Sequence, residues 1–170
     1  MILFLDYDGV LHPDAVYLVR RQPVLRADGE LFMWAPLLTA ILEPHPDVRI
    51  VLSTSWVRVL GFSRARKALP DSLRRRVIGA TWHSAMGRHH EGHHRLENNW
   101  FVNASRYEQI TRYLSSVTPD TASNWVAVDD DAEGWAEPDC CHLVRTNSWT
   151  GLSSQESLFD LDAKLNQWKK

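Results

Sequence analysis

The sequence predicts a three-layer α/β fold, a parallel sheet with helices on both faces, and three observations lead there. Ile2 to Leu5 form an unbroken apolar run closed by Asp6-Tyr7-Asp8-Gly9, the pattern of a short strand buried on both faces. Two further apolar runs, Val48–Leu52 and Trp125–Val128, also end in polar clusters, Ser53-Thr54-Ser55 and Asp129-Asp130-Asp131. Between and after these runs lie segments with helical spacing, as a parallel sheet requires for its crossovers. The chain has 170 residues, 44% of them hydrophobic, which suits one domain over 1–170 with a sizeable core.

Taken in order, the first strand leads into a loop in which Gly9 permits a sharp turn. Residues 14–34 read as a small flap, with short strands at Tyr17–Arg21 and Leu31–Trp34 and a hairpin signal at Asp28-Gly29. Ala35–Leu42 has helical spacing, with Pro36 in its first turn and Pro44 and Pro46 beyond its end. The second strand, Val48–Leu52, is followed by a basic helical region over Phe62–Arg76, broken at Pro70. Arg58, Arg64, Arg66, Lys67, Arg74, Arg75 and Arg76 stand there against Asp71, either as a solvated face or as a surface for anionic substrate. Val77–Ala80 is a third short strand. Residues 82–100 form a polar loop carrying His83, His89, His90, His93 and His94, whose spacing matches no structural zinc site and suits a substrate-facing loop.

Ser105 and Glu108 make a capping box, so a helix begins there and runs to about Ser116 with Ile110, Tyr113 and Leu114 as its apolar stripe. The Trp125–Val128 strand follows. His142–Val144 reads as the last strand, and a second capping box at Ser153–Glu156 opens a final helix packed through Leu158, Leu161 and Leu165.

The composition excludes several classes. A net charge of −2 is not that of a general polyanion binder. Cys140 and Cys141 are adjacent and supply no disulfide framework, so a reducing, cytoplasmic location is the default expectation. The opening apolar run has no basic lead and stops at Asp6, unlike a signal peptide, and no stretch is long enough to span a membrane.

Ligands of open parallel sheets bind beyond the carboxyl ends of the strands, where Asp6 and Asp8 sit. Two close carboxylates at such an edge suit a hard cation, and a phosphate dianion beside them would need one: at an effective dielectric of about 20, each like-charge pair near 4 Å costs roughly 4 kcal/mol. The stretch Phe4-Leu5-Asp6-Tyr7-Asp8-Gly9-Val10-Leu11 resembles the first motif of the haloacid dehalogenase (HAD) superfamily. The resemblance implies a Rossmann-like sheet with no large cap, Asp6 as the nucleophile that takes up phosphorus, and Asp8 as general acid and base. Ser53-Thr54-Ser55 resembles the second motif, with Thr54 preferred and Ser53 or Ser55 as alternatives in register. Arg106, at the start of its helix, matches the family's phosphate-facing cation, a position more often lysine. Asp129-Asp130-Asp131 resembles the fourth motif, which implies Asp130 as direct Mg²⁺ ligand with Asp6 and the Asp8 backbone carbonyl, and Asp129 in support; which of Asp129 and Asp130 binds directly stays open.

The motif order separates this pattern from a response-regulator receiver, whose paired acids follow the first strand but whose phosphorylated Asp follows a middle one. Here the middle strand ends in Ser-Thr-Ser. The expected activity is Mg²⁺-dependent hydrolysis of a phosphate monoester through an aspartyl-phosphate, with Thr54, Ser55 and Arg106 on the phosphate. A small molecule or a nucleic-acid end is the expected substrate. The chain is also similar, more weakly, to small HAD domains associated with RNA repair, and Trp56, Trp82 and Trp100 are candidate stacking surfaces. The competing expectation is a non-catalytic HAD-like module that binds metal or a partner; retention of both Asp6 and Asp8 argues against it.

Overall fold

A computed structural model describes residues 1–83 and 100–167. Seven strands occur among them, five in one parallel sheet: β1 (Ile2–Leu5), β4 (Arg49–Leu52), β5 (Val77–Ala80), β6 (Trp125–Asp129) and β7 (Leu143–Arg145). Their order is β5-β4-β1-β6-β7, so β1 is central, with the strand before Thr54 on one side and the strand before Asp130 on the other. Leu5 pairs with Leu52 of β4 and with Val128 of β6, so the three strands end flush and their polar successors share one edge.

Side chains alternate across the sheet with a period of two. Leu3 and Leu5 enter one layer, with Leu38 and Leu42 of α1 (Ala35–Leu42), Trp56 and Val57 of α2 (Ser55–Leu60), Ala65 of α3 (Phe62–Ala68), Leu73 of α4 (Asp71–Arg74), and Leu161 and Leu165 of the last helix (Gln155–Gln167). Ile2 and Phe4 enter the other, against Ile110 and Leu114 of a helix over Arg106–Leu114. Phe4 meets Tyr113 and Trp125 edge to face at 5.5 and 5.8 Å. Short helices at Trp100–Asn103 (α5) and Pro119–Ala122 (α7) flank the Arg106 helix, which is α6; the last helix is α8. The expected three-layer fold is the one observed.

The flap differs from expectation. Its strands are β2 (Val16–Val19) and β3 (Gln22–Leu25), closed by Arg20-Arg21 and not at Asp28-Gly29. A two-residue hairpin turn of type I′ needs positive φ at both central residues, and Arg20 and Arg21 supply it at 49° and 65°. Turn preference pointed to the wrong dipeptide because arginine rarely takes that conformation. The segment Leu31–Trp34 is a turn, because Leu31 and Phe32 pack onto the core instead of pairing in a ladder.

Helix α2 also goes beyond the sequence reading, which began its helical region at Phe62. It is six residues long and holds two β-branched valines, so propensity barely marks it, and Thr54 starts it by accepting the Trp56 N–H. At the far end, Ser153 belongs to a 3₁₀ turn over Gly151–Ser153 and donates to the Thr150 carbonyl at 2.6 Å; α8 begins at Gln155 and not at a Ser153–Glu156 capping box. The last strand begins at Leu143, one residue later than expected. His89, His90, His93 and His94 lie outside the described residues; His83 is exposed.

Candidate active site

Asp6 follows β1 directly and is buried, as an inward residue at the end of a central strand must be. One carboxylate oxygen accepts the Tyr7 N–H at 2.7 Å and the other accepts from Arg106 Nη2 at 3.2 Å. Asp129, the last residue of β6, is equally buried and places Oδ2 3.0 Å from Arg106 Nε. Burial is the largest influence on both acids. It pushes Asp6 up to about 6, with Arg106 opposing and Asp8 adding to the rise. It holds Asp129 well above the usual carboxylate range, where the charge of Asp6 adds to it and Arg106 again opposes. Burial also works against the charge of Arg106, but Asp6 and Asp129 outweigh it.

The local sequence explains how Arg106 reaches this place. It is the first residue of α6, fixed by the predicted capping box: Ser105 N–H donates to Glu108 at 2.7 Å and Glu108 N–H donates to Ser105 Oγ at 3.2 Å. Arg106 Nη1 donates to Gln109 at 3.2 Å, and the Gln109 amide donates to the carbonyls of Phe101 and Ala104 at 3.0 and 3.2 Å. The guanidinium is thus held from behind by its own helix.

Asp6, Asp129 and Asp130 each bring a carboxylate oxygen to within 4.8 Å of the others. The donors are all hard oxygens, which suits Mg²⁺. Three converging carboxylates face one guanidinium, an excess of negative charge, so the residues fit a divalent ion. Gly9 makes the approach of Asp130 feasible: its φ is +68°, and a side chain there would overlap the Asp130 carboxylate. Asp131 turns away; it is exposed, and its carboxylate accepts the Glu133 N–H at 2.8 Å.

The Asp8 side chain stands apart from this group. Both of its oxygens accept from Trp56 Nε1, at 3.1 and 3.0 Å, and Oδ1 lies 3.0 Å from His12 Nε2. The Phe32 N–H donates to His12 Nδ1 at 3.2 Å, so the ring proton resides on Nε2 and points at Asp8. His12 is fully buried, with Phe32 and Trp56 against its ring. Sequence reasoning missed His12; its only signal was an acid and a histidine four positions apart in a tight loop. Trp56, considered above as a stacking surface, is buried and serves as a donor to Asp8.

Thr54 is buried at the head of α2, where its hydroxyl accepts the Trp56 N–H, while Ser53 is buried and Ser55 is half-buried at the mouth. Ser55 borders two openings. One is a cleft of about 540 Å³ lined by Arg58, Arg106 and Asp131 among others. The second, an apolar slot of about 140 Å³, has Asp8 in its wall and Val16, Leu18 and Val59 around it. The basic stretch divides: Arg74 and Arg75 pair with Asp71, Arg66 donates to the Arg74 carbonyl, and Arg76 donates to the carbonyls of Leu42 and His45. Trp82 packs on Phe101 at 4.8 Å, and Trp100 lies 4.1 Å beneath Arg112.

A flush parallel sheet with a carboxylate pair after its central strand, acids after the next and an arginine between them defines the HAD class of hydrolases, which are mostly phosphatases that use Mg²⁺. Over residues 2–157 the chain matches the family described as the HAD domain in Swiss Army Knife RNA repair proteins, and it belongs to that family. No curated protein and no solved structure matches it. No helix among the described residues is long and apolar enough to cross a membrane.

Proposed function

We propose that the protein is a Mg²⁺-dependent phosphatase that hydrolyses a phosphate monoester, carried by a nucleotide or a polynucleotide end, through an aspartyl-phosphate on Asp6. The observation that carries this reading is the meeting of Asp6, Asp129 and Asp130 from two neighbouring strand ends beside one arginine. Asp6 and Asp130, with the Asp8 backbone carbonyl, would hold the Mg²⁺, which when bound neutralises phosphate charge and orients its oxygens.

The chain's own residues supply the rest. Thr54, Ser55 and Arg106 bind the phosphate oxygens, and Arg106 meets the negative charge of the transition state. A carboxylate oxygen of Asp6 attacks phosphorus as the bond to the leaving oxygen breaks, and Asp8 gives that oxygen its proton. Water then attacks the phosphorus of the aspartyl-phosphate, Asp8 takes up the water proton, and phosphate leaves with Asp6 restored. Asp129 holds Arg106 in place. His12 and Trp56 aim the Asp8 carboxylate toward the slot where the leaving group sits. The family's link to RNA repair and the apolar lining of that slot favour a nucleoside as leaving group. Two free, exposed cysteines agree with a cytoplasmic setting.

The test is phosphate release from p-nitrophenyl phosphate with Mg²⁺ and with chelator. Metal-dependent turnover that disappears in Asp6→Asn is the expected result. Metal binding without turnover would leave the non-catalytic module in its place.

A further inference from the structure

The hairpin tip carries two arginines where asparagine and glycine are the undemanding choice. Arg20 and Arg21 both adopt left-handed backbone, and both are exposed. Among the described residues neither has an ion-pair partner, and neither does Arg64 on α3, unlike Arg74 and Arg75 on and after α4. These three arginines rim a groove of about 680 Å³ whose lining contains no acid. The groove shares Pro23, Trp56 and Leu60 with the slot that Asp8 closes. From the acid/base carboxylate outward, the surface therefore runs from an apolar neck to a cationic rim, in a molecule whose net charge is −2.

We infer that neck and rim bind a phosphate-terminated polynucleotide strand, with the terminal nucleoside in the neck and the next internucleotide phosphates on Arg20, Arg21 and Arg64. This rests on the reading of Asp6 and Asp8 as a phosphatase centre. A strand alternates flat apolar bases with regularly spaced charges, which matches an apolar neck followed by cations. Arginine suits the task because its planar fork binds phosphate and also stacks. A sugar phosphate carries no second anion for the rim. A phosphopeptide is the competing polyanion.

The experiment compares kcat/KM of the full chain with Mg²⁺ on single-stranded oligonucleotides phosphorylated at the 3′ or 5′ end, a phosphopeptide and p-nitrophenyl phosphate. The variants are R20N/R21G, which restores the favoured turn dipeptide and so preserves the hairpin, R64A, and R75A as a remote charge control. In R20N/R21G the preference for oligonucleotide over p-nitrophenyl phosphate is expected to fall about tenfold, with a salt dependence shallower by about 0.7 per lost contact. R64A follows in the same direction, and R75A leaves the preference as it is. An unchanged preference in R20N/R21G and R64A, an equal fall in R75A, or a fall confined to the phosphopeptide overturns the inference. If the unmodified protein turns over none of these substrates, the phosphatase reading fails on its own. Anisotropy of a labelled oligonucleotide then still judges the rim, and equal affinity in R20N/R21G sinks it.

Discussion

On one side of the cleft, the buried Asp6 and Asp129 flank a half-buried Arg106 at 3.2 and 3.0 Å, each fixed by a strand end or a helix start. On the other side, Asp8 hangs between a loop histidine and an indole, and beyond it stands a two-stranded hairpin with an exposed tip. The first side is made of charges whose positions the sheet register dictates, and its energetics are those of burial and compensation. The second is made of loop contacts that can vary without disturbing the sheet. The buried charges lie where geometry is least negotiable, and the proposed acid/base carboxylate and the hairpin lie where the backbone is freer to change.

The largest effect should come from the rigid side. Asp6→Asn is expected to lower turnover of p-nitrophenyl phosphate by on the order of 10⁴-fold or more, with an unchanged circular dichroism spectrum. Arg106→Met should lower kcat by about 10²- to 10³-fold. It should also destabilise the fold by about 3–5 kcal/mol, because Asp6 and Asp129 would face one another with no cation between them; denaturant melts would show it.

On the loop side, His12→Ala should act selectively. An alkyl phosphate, whose leaving oxygen needs a proton, is expected to lose about 10- to 100-fold in kcat, and p-nitrophenyl phosphate only a few-fold. Equal losses on both substrates would show that His12 matters for packing alone, and would erase the distinction between the two sides.

A further effect concerns pH. Asp6 has its pKa raised to about 6 in the fold, so the folded state holds a proton that the unfolded state has already released. Without metal, stability should therefore be greatest below about pH 4 as far as this group is concerned, and fall by roughly 3 kcal/mol as pH rises to about 6. Added Mg²⁺ should oppose that loss, so its increment in Tm grows from pH 5 to pH 7. A constant increment would place the ion away from Asp6.

Much of the rigid side could be read from sequence, because each of its residues is adjacent to a strong local signal. Asp6 and Asp129 terminate apolar runs, and Arg106 follows the serine of a capping box. Their convergence needed only the rule that parallel strands present their carboxyl ends together. The loop side was opaque for a physical reason. Trp56 reaches Asp8 from 48 positions away, and the Phe32 N–H reaches His12 from 20, through turns whose course no periodicity encodes. The hairpin was misplaced because its turn violates the very preference used to find it.

The flush ending of β6 against β1 carries one more consequence. Because side chains alternate in a strand, sliding β6 by a single residue would send Asp129 to the opposite layer, away from the guanidinium of Arg106. The mispaired sheet would then leave Arg106 with Asp6 in place of two carboxylates. The pairing of Arg106 with Asp129 thus also opposes a wrong alignment that the apolar residues of β6, buried on both layers, would tolerate.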